Sequence, residues 1–544
     1  MDGLSGGLHN LAFTGSLRGL QGFAVKPQMT KPPNIVVFTG DDKDSFERAE
    51  ANILRVVPVN RFTVFHIAST SLGGHPWFEK NTACLLVADD AEKLDTAMWA
   101  KIREYVAQSG KVAFFGVADK ERVLGEVASK ESLEIAKELL RMTVVDEGKN
   151  EVKISRLTNL TTTLGIKEAR IVFARKSPDC EASIREVLAN LGVHHAIGSS
   201  QGLPDLTRGY MMCEKDLMVL YIEGLTYAEA LGRSPQLLFK PSTLVTPGSL
   251  PLPSKDLLPV EIRRRKTGIP DFDENLYFDN LKTEKIGKIL ISFPVCESTM
   301  DISRSIVAGL KSTTGVLIVA QMQTKGRGRG GNQWLSPSGC AMFTFNYALP
   351  LDSNLGQSSA FVQHILAVAV VDAVLSKLKT TTFPLRIKWP NDLYFDRKYK
   401  MGGILVTASI ERDTLHCVLG CALNVANSQP TVCLNDFIIP EIGAPLTIEA
   451  TLADIMNKFE KYVEIFQNEG KESFLKAYHK FWLHSGEVVD ILEKDAVEAK
   501  KAKILGLDQS GYLHVKNEDD GSMFTVMDDG NTFDMMKGLI RAKD

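Results

Sequence analysis

Short apolar runs closed by turn residues recur through the first half of the chain. Residues 34–38 (NIVVF) end at Thr-Gly-Asp-Asp, and residues 84–88 and 111–117 show the same pattern. Runs of this kind predict buried strands, and a helical segment, residues 94–106, separates the last two. Because strands that alternate with helices form parallel sheets, residues 33–240 are predicted to fold as an α/β domain or a pair of subdomains.

A second α/β region begins at Lys288. Residues 361–378 predict a helix, because apolar residues recur there at spacings of three and four. Another amphipathic helix is predicted from Thr451, whose Thr-Leu-Ala-Asp sequence resembles a capping box, to Phe466. Its apolar stripe is interpreted as core packing. Predicted strands cover residues 289–293, 315–320, 385–395, 403–410 and 415–425.

Two segments have a different character. Six prolines and few aromatic residues between Lys240 and Asp271 predict an extended linker. After Trp482, four short strands separated by glycine-containing turns predict a small β-barrel. The predicted boundaries are therefore residues 1–32 as a flexible tail, 33–240 as the first domain, 241–284 as the linker, 285–484 as the second domain and 485–544 as the barrel.

Composition and charge narrow the class of protein. The chain has 63 basic and 66 acidic residues and a net charge of −3, so its overall charge gives no case for binding nucleic acid or membranes. No apolar run reaches the ~18 residues that suggest a membrane span. Eight cysteines in 544 residues, without a C-x-x-C pair, predict reduced and mostly buried thiols rather than a disulfide scaffold or a structural zinc site.

One loop carries a local cluster of positive charge, although the net charge of the chain is close to zero. The sequence from Gln323 to Trp334 (QTKGRGRGGNQW) follows a predicted strand and combines four glycines with Lys325, Arg327 and Arg329. Glycine backbone amides approach ligands closely, and arginine binds carboxylate or phosphate through two parallel hydrogen bonds. The loop lacks the Gly-Lys-Ser/Thr ending of a Walker A loop. It predicts an anion-binding site, with an RGG-like nucleic-acid segment or a solvated loop as the alternative.

Three further clusters place polar side chains next to predicted strands. The motif Lys388-Trp-Pro-Asn-Asp392 predicts a turn, and Lys400 lies at the start of a strand. Ser298 and Thr299 are candidate ligand donors or helix N-caps. Residues 420–424 (GCALN) predict a strand with an accessible backbone. Taken singly, each cluster is better explained by a structural role: a turn cap, a solvated lysine, a helix cap and a buried strand.

Together and in this order, the clusters resemble the biotin protein ligases, and more closely the eukaryotic holocarboxylase synthetases. The resemblance covers residues 285–544. It implies an α+β catalytic domain with a mixed sheet, followed by a small SH3-like barrel. The matching motifs are Gly326-Arg-Gly-Arg-Gly-Gly-Asn, Trp334, Ser336-Pro-x-Gly339, Lys388-Trp-Pro-Asn-Asp392, Gly403-Ile-Leu, Asn424-Val-Ala-Asn427 and Gly530-Asn-Thr-Phe-Asp534.

The resemblance implies a ligase that uses biotin, ATP and Mg²⁺. Such an enzyme forms biotinyl-5′-AMP and pyrophosphate, and then transfers biotin to one lysine of a carboxylase biotin domain. The implied catalytic residues are Lys400, Arg327, Arg329 and Asp392, of which Asp392 would orient or deprotonate the incoming lysine. The implied biotin-binding residues are Ser298, Thr299, Gln323, Gly326, Arg327, Gly328, Arg329, Lys400 and Gly403, and the implied adenylate-binding residues are Arg329, Trp334, Asn391, Lys400 and Asn424.

One position departs from the family pattern. The family often has Gly-x-Gly before the hydrophobic-Asn pair, whereas this chain has Gly420-Cys-Ala422. The added methyl group narrows the approach of that strand to a ligand. The sequence does not indicate which residues would bind a metal ion.

The N-terminal half resembles the glutamine-amidotransferase-like domain that precedes some eukaryotic biotin ligases. Amidotransferase chemistry needs a cysteine on a tight strand-to-helix turn, with a histidine partner. The corresponding residues 114–119 (FFGVAD) contain no cysteine, and Cys84 lies inside a predicted strand. We therefore expect a catalytically inactive domain that recognises substrates or regulates the ligase.

The resemblance also implies partners and a location. The expected protein substrates are the biotin domains of acetyl-CoA, pyruvate, propionyl-CoA and methylcrotonyl-CoA carboxylases, with no membrane or DNA partner. The expected location is cytoplasmic, with mitochondrial import left open. A lipoate or octanoate ligase of related fold is one alternative, against which the glycine-rich loop argues. A non-enzymatic binding or regulatory protein is another, but the first 240 residues show no basic recognition helix.

Overall fold

The computed structural model describes most of the chain. The predicted tail, residues 1–32, lies outside the described residues apart from its last position. The described residues are 32–58, 61–74, 77–78, 81–88, 91–117, 119–127, 155–158, 170–174, 178, 181–193, 203–213, 232, 234–309, 314–329, 333–378, 382–427, 430–438, 443–492, 498–528, 531–535 and 539–542.

A parallel sheet, here called the first sheet, occupies the N-terminal part of the chain. Its elements are β1 (Asn34–Phe38), α1 (Lys43–Val56), β2 (Thr63–His66), α2 (Ser69–Gly74), β3 (Thr82–Val87), α3 (Thr96–Ala107), β4 (Lys111–Phe115), α4 (Lys120–Val127), β5 (Ser155–Thr158), β6 (Arg170–Ala174) and α5 (Glu181–Asn190). The described strands lie in the order β2-β1-β3-β4-β6-β5, and only the edge strand β5 is antiparallel to its neighbour. Separate apolar clusters cover the two faces, as expected of a parallel sheet with helices on both sides. The α/β prediction for this region is confirmed.

The larger central sheet is mixed, as predicted. Its region contains β7 (Gly209–Cys213), β8 (Gln236–Pro241), β9 (Leu257–Arg263), α6 (Glu274–Asn280), β10 (Ile289–Cys296), α7 (Thr299–Gly309), β11 (Val316–Gln323), β12 (Cys340–Pro350), α8 (Phe361–Lys377), β13 (Leu385–Lys388), β14 (Asp392–Phe395), β15 (Tyr399–Glu411), β16 (Thr414–Asn424), α9 (Ile448–Glu469) and α10 (Lys471–Phe481). The strand order among described residues is β13-β14-β15-β16-β12-β11-β10-β7-β9-β8. β10 and β11 are parallel, whereas β12, β15 and β16 run antiparallel to their neighbours. The nearly all-apolar helix α8 is buried against this sheet and α9.

The predicted boundaries at residues 240 and 284 are wrong. β7 lies within the predicted first domain, β8 crosses its predicted end at residue 240, and β9 lies within the predicted linker. All three nevertheless extend the central sheet through the pairing of β7 with β10. The prolines in this stretch led to the wrong prediction, because Pro259 lies inside the strand β9, where Leu258, Val260 and Ile262 are buried. This segment is therefore part of the central sheet rather than an extended spacer.

Two local predictions also differ from the structure. Helix α9 begins at Ile448 rather than after a capping box at Thr451, because the amphipathic pattern extends one turn earlier through the buried Ala450. The predicted strand 385–395 is two strands, β13 and β14, joined by a turn that contains a cis Trp389–Pro390 peptide bond.

The C-terminal sheet is built from more strands than predicted. It contains β17 (Val488–Leu492), β18 (Lys500–Leu507), β19 (Leu513–Asn517), β20 (Met523–Val526), β21 (Asn531–Asp534) and β22 (Leu539–Ala542). Their order is β20-β19-β18-β17-β22-β21, and their buried side chains join the apolar core of the central sheet. Four short 3₁₀ helices complete the described elements: Ala91–Lys93, Ser242–Leu244, Gly356–Ser358 and Leu434–Phe437. Within the described ranges, no helix combines the length and apolar character that crossing a bilayer requires.

Candidate active site

A cavity of about 650 Å³ lies between the central sheet and the glycine-rich loop, defined as residues 324–339 between β11 and β12. Every predicted site residue except Gly326 lines this cavity. The lining members of the predicted set are Ser298, Thr299, Gln323, Arg327, Gly328, Arg329, Trp334, Asn391, Asp392, Lys400, Gly403 and Asn424. The structure therefore brings together side chains that the sequence separates by more than a hundred positions.

Strand β16 passes through the site and gives it a direction. Gly420 pairs with Thr344, Ala422 with Gly403, and Asn424 with Cys340. At about 3.3 Å per residue, Gly420 and Asn424 lie about 13 Å apart. The site thus has two ends and a middle. We call them the hydroxyl end at Gly420, the charged centre at Ala422 and the asparagine end at Asn424.

The hydroxyl end holds one side chain firmly and leaves another unpaired. The Thr299 backbone N–H and hydroxyl both donate to Gln323 Oε1, at 2.8 and 3.1 Å, and Gln323 Nε2 donates to Ser336 Oγ at 3.1 Å. Ser298 precedes α7, but its buried hydroxyl has no hydrogen-bond partner among the described residues and does not cap the helix. A buried hydroxyl without a partner is costly, so this position points to a ligand rather than to the helix-cap role.

The charged centre is an ion-paired triad. Lys400 Nζ lies 2.6 Å from Asp392 Oδ1, and Lys388 Nζ lies 3.7 Å from Asp392 Oδ2. Asp392 is the first residue of β14, opposite Gly403 of β15, so it lies at a strand start rather than in the predicted turn. A methyl group at Gly403 would lie 3.6 Å from Asp392 Oδ1. The Lys400 ammonium also lies 5.4 Å from the centre of the Trp334 ring.

The two loop arginines are paired with carboxylates from different parts of the chain. Arg327 Nη2 lies 2.9 Å from Asp301 Oδ2 on α7. Arg329 reaches the C-terminal sheet region, where its Nη2 donates to the Asp528 carbonyl oxygen at 2.7 Å and its Nη1 lies 3.1 Å from Asp528 Oδ2. Arg329 Nη1 also lies 3.4 Å from Asn391 Oδ1. The arginines are thus positioned on the wall of the cavity and available to exchange partners.

Close packing explains the glycine at Gly326, although this residue does not line the cavity. Its carbonyl oxygen accepts a hydrogen bond from the Trp334 backbone N–H at 2.9 Å, so the loop folds back on itself. A methyl group at Gly326 would collide with the Trp334 carbonyl oxygen and lie 2.6 Å from Ser336 Oγ. The loop therefore needs a glycine here for its shape, which is a role that the sequence did not distinguish from ligand binding.

The departure at Gly420-Cys-Ala422 does not remove β16 from the site. All three residues line the cavity. A methyl group at Gly420 itself would lie 2.5 Å from Met300 Sδ, so glycine is needed at that position. Cys421 is buried, and burial raises the pKa of its thiol above the usual range, which makes it a packing residue rather than a nucleophile.

The sequence analysis did not identify cavity-lining residues that come from the N-terminal and C-terminal regions of the chain. Phe533 of β21 lines the cavity, and the motif Gly530-Asn-Thr-Phe-Asp534 was the signal that could have indicated it. The amino ends of β1, β2 and β3 face the same cavity through Asn34, Thr63 and the adjoining Asn81. No local pattern marks these three as site residues, because only the packing of the first sheet on the glycine-rich loop brings them there.

The first sheet also touches the glycine-rich loop directly. Glu50 of α1 accepts a hydrogen bond from Gln333 Nε2 at 2.8 Å. Burial in this contact raises the pKa of the Glu50 carboxyl group, partly opposed by the Gln333 hydrogen bond and by the positive charge of Lys325. The N-terminal part of the chain therefore contacts the loop that carries the two arginines.

The donor set of the cavity does not resemble a protein-held metal site. Asp392 is the one carboxylate among the described lining residues, and both of its oxygens face lysine ammonium groups. No cluster of three or more His, Cys, Asp or Glu side chains suited to a metal ion occurs in the described part of the chain.

Comparison with known proteins agrees with this geometry. Residues 292–424 match the model of the Biotin/lipoate A/B protein ligase family. The chain is 29% identical to the human protein named Biotin--protein ligase, over 94% of this chain and 78% of the human one. It is 35% identical to Biotin--protein ligase 2 of Arabidopsis thaliana, over 50% of this chain and 82% of that protein.

A solved structure shows a weaker likeness. The biotin protein ligase from Aquifex aeolicus in complex with biotin and ATP is 23% identical and superposes with a TM-score of 0.34, covering 44% of this chain and 98% of that one. The family match lies on the strands that carry the cavity, and the Arabidopsis relative is covered over most of its length. The chain belongs to the biotin–protein ligase family.

Proposed function

We propose that the protein is an ATP-dependent biotin–protein ligase that acts in two half-reactions. In the first, a biotin carboxylate oxygen attacks the α-phosphorus of ATP, and pyrophosphate leaves. In the second, the ε-amine of an acceptor lysine attacks the acyl carbon of biotinyl-5′-AMP, and AMP leaves. The observation that carries this proposal is the line of three different environments along β16, with cations in the middle.

The hydroxyl end suits the ureido ring of biotin. The ring offers a carbonyl acceptor and N–H donors, and the unpaired Ser298 hydroxyl can donate to that carbonyl. Thr299 and Gln323 are held to each other and to Ser336, so they present fixed rather than adaptable polar groups. A preorganised pocket of this kind loses little side-chain entropy when the ligand binds.

The cations suit the meeting of two anions. Two like unit charges ~4 Å apart repel by about 4 kcal/mol at an effective dielectric constant of ~20. Arg327, Arg329 and Lys400 line the cavity beside that meeting point and would offset the repulsion. They would also stabilise negative charge that develops at the α-phosphate in the transition state. Trp334 and Asn391 would contact the adenylate, with Lys400 between them and the carboxylate.

Asp392 suits the transfer step. It is the acidic side chain on the described cavity wall, and two lysine ammonium groups already face its oxygens. We propose that an acceptor lysine takes the place of one of these ammonium groups and loses its proton to Asp392 as the amide bond forms. The glycine-rich loop would exclude water, because a mixed anhydride hydrolyses readily.

The proposed magnesium ion belongs to the nucleotide rather than to the protein. MgATP would enter as the substrate, and its phosphates would meet Arg327, Arg329 and Lys400. Biotin carrier domains would be the protein substrates, and those of acetyl-CoA, pyruvate, propionyl-CoA and methylcrotonyl-CoA carboxylases are our specific candidates. We also propose a cytoplasmic location, with mitochondrial import as a further possibility to test.

We propose that the region of the first sheet is an amidotransferase-like domain without amidotransferase activity. Strand β4 is followed by Gly116 with φ of 68°, the backbone conformation of a tight strand-to-helix turn, but this residue has no side chain to act as nucleophile. Cys84 is buried in β3, where burial raises its pKa to about 12. The contact with the glycine-rich loop supports a regulatory or substrate-recognition role. The C-terminal sheet is our candidate for the SH3-like domain.

Biotin, MgATP and an isolated biotin carrier domain test the proposal directly. We expect the carrier to gain the mass of one biotin on one lysine, with biotin-dependent release of pyrophosphate. Arg327→Ala should slow adenylate formation by at least tenfold, because one of the cavity cations is lost. Arg304→Ala is the matched control, since Arg304 pairs with the same Asp301 at 2.9 Å but lies outside the cavity lining.

Three results would contradict the proposal. Wild-type rates in Arg327→Ala would refute the assigned mechanism. Absence of biotin-dependent pyrophosphate release would favour a binding or regulatory protein. A larger thermal shift with lipoate than with biotin would favour a lipoate ligase of related fold.

A further inference from the structure

A buried histidine outside the cavity bonds to the backbone of the turn that leads to Asp392. His484 lies between α10 and β17, is fully buried, and is not among the described residues that line the cavity. The Trp389 backbone N–H donates to His484 Nε2 at 3.2 Å. Trp389 belongs to the site turn, defined as residues 389–391, which joins Lys388 at the end of β13 to Asp392 at the start of β14. A histidine from the C-terminal part of the chain therefore holds the turn between two charged residues of the site.

The hydrogen bonds of His484 fix its tautomer. A backbone N–H can only donate, so Nε2 must carry the lone pair and the proton must lie on Nδ1. Nδ1 accordingly donates to Glu487 Oε2 at 2.8 Å. Arg397 pairs with the other carboxylate oxygen of Glu487 and donates to the Leu483 carbonyl oxygen at 3.1 Å. Arg397, Glu487 and His484 thus form a chain of hydrogen bonds that ends on the Trp389 N–H.

The site turn is held at three backbone atoms. Besides the Trp389 N–H, the carbonyl oxygens of the next two residues accept hydrogen bonds, from Gln363 Nε2 at 3.2 Å and from the Ile404 N–H at 2.9 Å. The turn joins two strand ends at which Lys388 pairs with Asp392. Because the Trp389 bond is the one next to Lys388, its loss would change the spacing of Lys388 and Asp392 while the other two bonds remain.

The surroundings of His484 keep its imidazole neutral. Burial lowers its pKa below 6.5. The hydrogen bond with Glu487 and the charge of Glu487 oppose this effect, and the positive charges of Lys388 and Arg397 add to it. The ring of Phe533 packs against the imidazole, with 4.9 Å between the ring centres. A neutral imidazole accepts the N–H of the turn, whereas an imidazolium would place a donor against it.

We propose that His484 is a positioning residue for the transfer step. Its Nε2 atom holds the Trp389 N–H, and the site turn then sets the position of Asp392 relative to Lys388 and to the acceptor lysine. This inference rests on the role of Asp392 in the proposed function. His484 acts through the turn, because it does not line the cavity. Loss of its acceptor leaves a buried N–H unpaired, and we expect transfer to slow by about tenfold.

Separate assays of the two half-reactions test the proposal on the full chain. Biotin-dependent pyrophosphate exchange measures adenylate formation, and single turnovers of purified biotinyl-5′-AMP with an isolated biotin carrier domain measure transfer. His484→Phe keeps an aromatic ring against Phe533 but removes the acceptor. We expect the maximal rate of transfer to fall by about tenfold, while pyrophosphate exchange and the carrier concentration for half-maximal transfer stay within about threefold of the wild type.

A conservative variant and its pH profile separate positioning from packing. In His484→Gln the amide oxygen can accept from the Trp389 N–H and does not titrate, so most of the transfer rate should return. The ratio of wild-type to His484→Gln transfer rates should be constant between pH 8 and pH 7. It should fall as pH drops below 6.5 through the lowered pKa of His484. The ratio removes the titration of the acceptor lysine and of Asp392, which both proteins share, and it remains a test if His484→Phe does not fold.

The matched control is a histidine on the same aromatic neighbour. His479 packs on the Trp482 ring with 5.1 Å between ring centres, compared with 5.7 Å for His484. It makes no bond to the site turn among the described residues. His479→Phe should therefore transfer biotin at the wild-type rate.

Several outcomes would overturn the inference. Wild-type transfer in His484→Phe would do so, and so would a failure of His484→Gln to exceed His484→Phe. Equal losses in both half-reactions would show a purely structural role, and a ratio of wild type to His484→Gln that does not change with pH would show that the imidazole acceptor is not used. Absence of pyrophosphate exchange in the wild type would overturn the proposed function instead.

Discussion

Replacing His364 with glutamine should reduce the loss of stability that acid causes in this protein. His364 lies on α8, is 2% exposed, and its Nε2 donates to the Gly511 carbonyl oxygen of the C-terminal sheet region at 2.9 Å. Burial lowers the pKa of His364 from 6.5 to about 4, only partly opposed by the Gly511 hydrogen bond and by the charge of Asp528. The imidazole therefore joins the two sheets in its neutral form.

The size of the effect follows from the two pKa values. A histidine whose pKa is depressed on folding binds more protons when unfolded, so its contribution is fully present above pH 6.5 and is lost as pH falls towards 4. The full loss is about 3 kcal/mol, because each pKa unit corresponds to about 1.4 kcal/mol. At pH 5 roughly 2 kcal/mol has already gone relative to pH 7. The seam between the central and C-terminal sheets should weaken over that range.

Urea unfolding at pH 8, 7 and 5 measures this contribution. Glutamine keeps an N–H donor that can reach the Gly511 carbonyl oxygen, but it does not titrate. We expect the stability difference between pH 7 and pH 5 to be about 2 kcal/mol smaller in His364→Gln than in the wild type. Between pH 8 and pH 7 the two proteins should change alike, since His364 is neutral there in both states. An identical acid dependence in the two proteins would refute the reasoning.

Three further changes probe the contacts around the glycine-rich loop. Asp528→Asn should lower the KM for ATP by about threefold in pyrophosphate exchange. The Asp528 carboxylate competes with the nucleotide for Arg329, and this partly exposed ion pair contributes about 0.5–1 kcal/mol. A higher KM in the variant would count against this competition. Glu50→Gln should slow hydrogen exchange in α1 at pH 7. Burial raises the pKa of the Glu50 carboxyl group, so its charged form destabilises the folded protein until pH falls through that pKa, and glutamine removes this penalty. Faster exchange in the variant would contradict this reasoning. Gly326→Ala should lower kcat/KM for biotin by at least tenfold through the clash with the loop backbone, whereas the control Gly125→Ala adds a methyl group that meets no atom within 4 Å; equal activity of the two variants would show that the loop shape is not required.

The site motifs could be predicted because each is a continuous stretch whose residue types indicate its local structure and chemistry. Glycines interleaved with arginines indicate an anion-binding loop, and the proline of Lys388-Trp-Pro-Asn-Asp392 indicates a turn. The structure places both on the same cavity. The short apolar runs likewise predicted the parallel first sheet, since burial on both faces leaves a continuous apolar signal.

Contacts between distant segments were not predictable from these patterns. Asp528 contacts Arg329 across 199 positions, and Glu50 contacts Gln333 across 283. Neither acid differs locally from a solvated surface residue, and only the packing of the three sheets brings them to the loop. The linker prediction failed because Pro259 lies in β9, and the residues of β9 do not by themselves reveal that β7 and β8 pair with it.

Each cation at the proposed reaction centre is already paired with a carboxylate, and the differences among these pairs indicate which one remains during catalysis. The Arg327 side chain is 46% exposed and that of Arg329 is 21% exposed, so exchanging their carboxylate partners for phosphate oxygens costs little. Asp392 is 16% exposed and faces two lysines, and removing both would leave a largely buried charge unpaired, at a cost of several kcal/mol. The arginines should therefore follow the adenylate as it forms, while Asp392 keeps at least one ammonium partner throughout. An acceptor lysine that enters the site meets a carboxylate already positioned to hold an ammonium group.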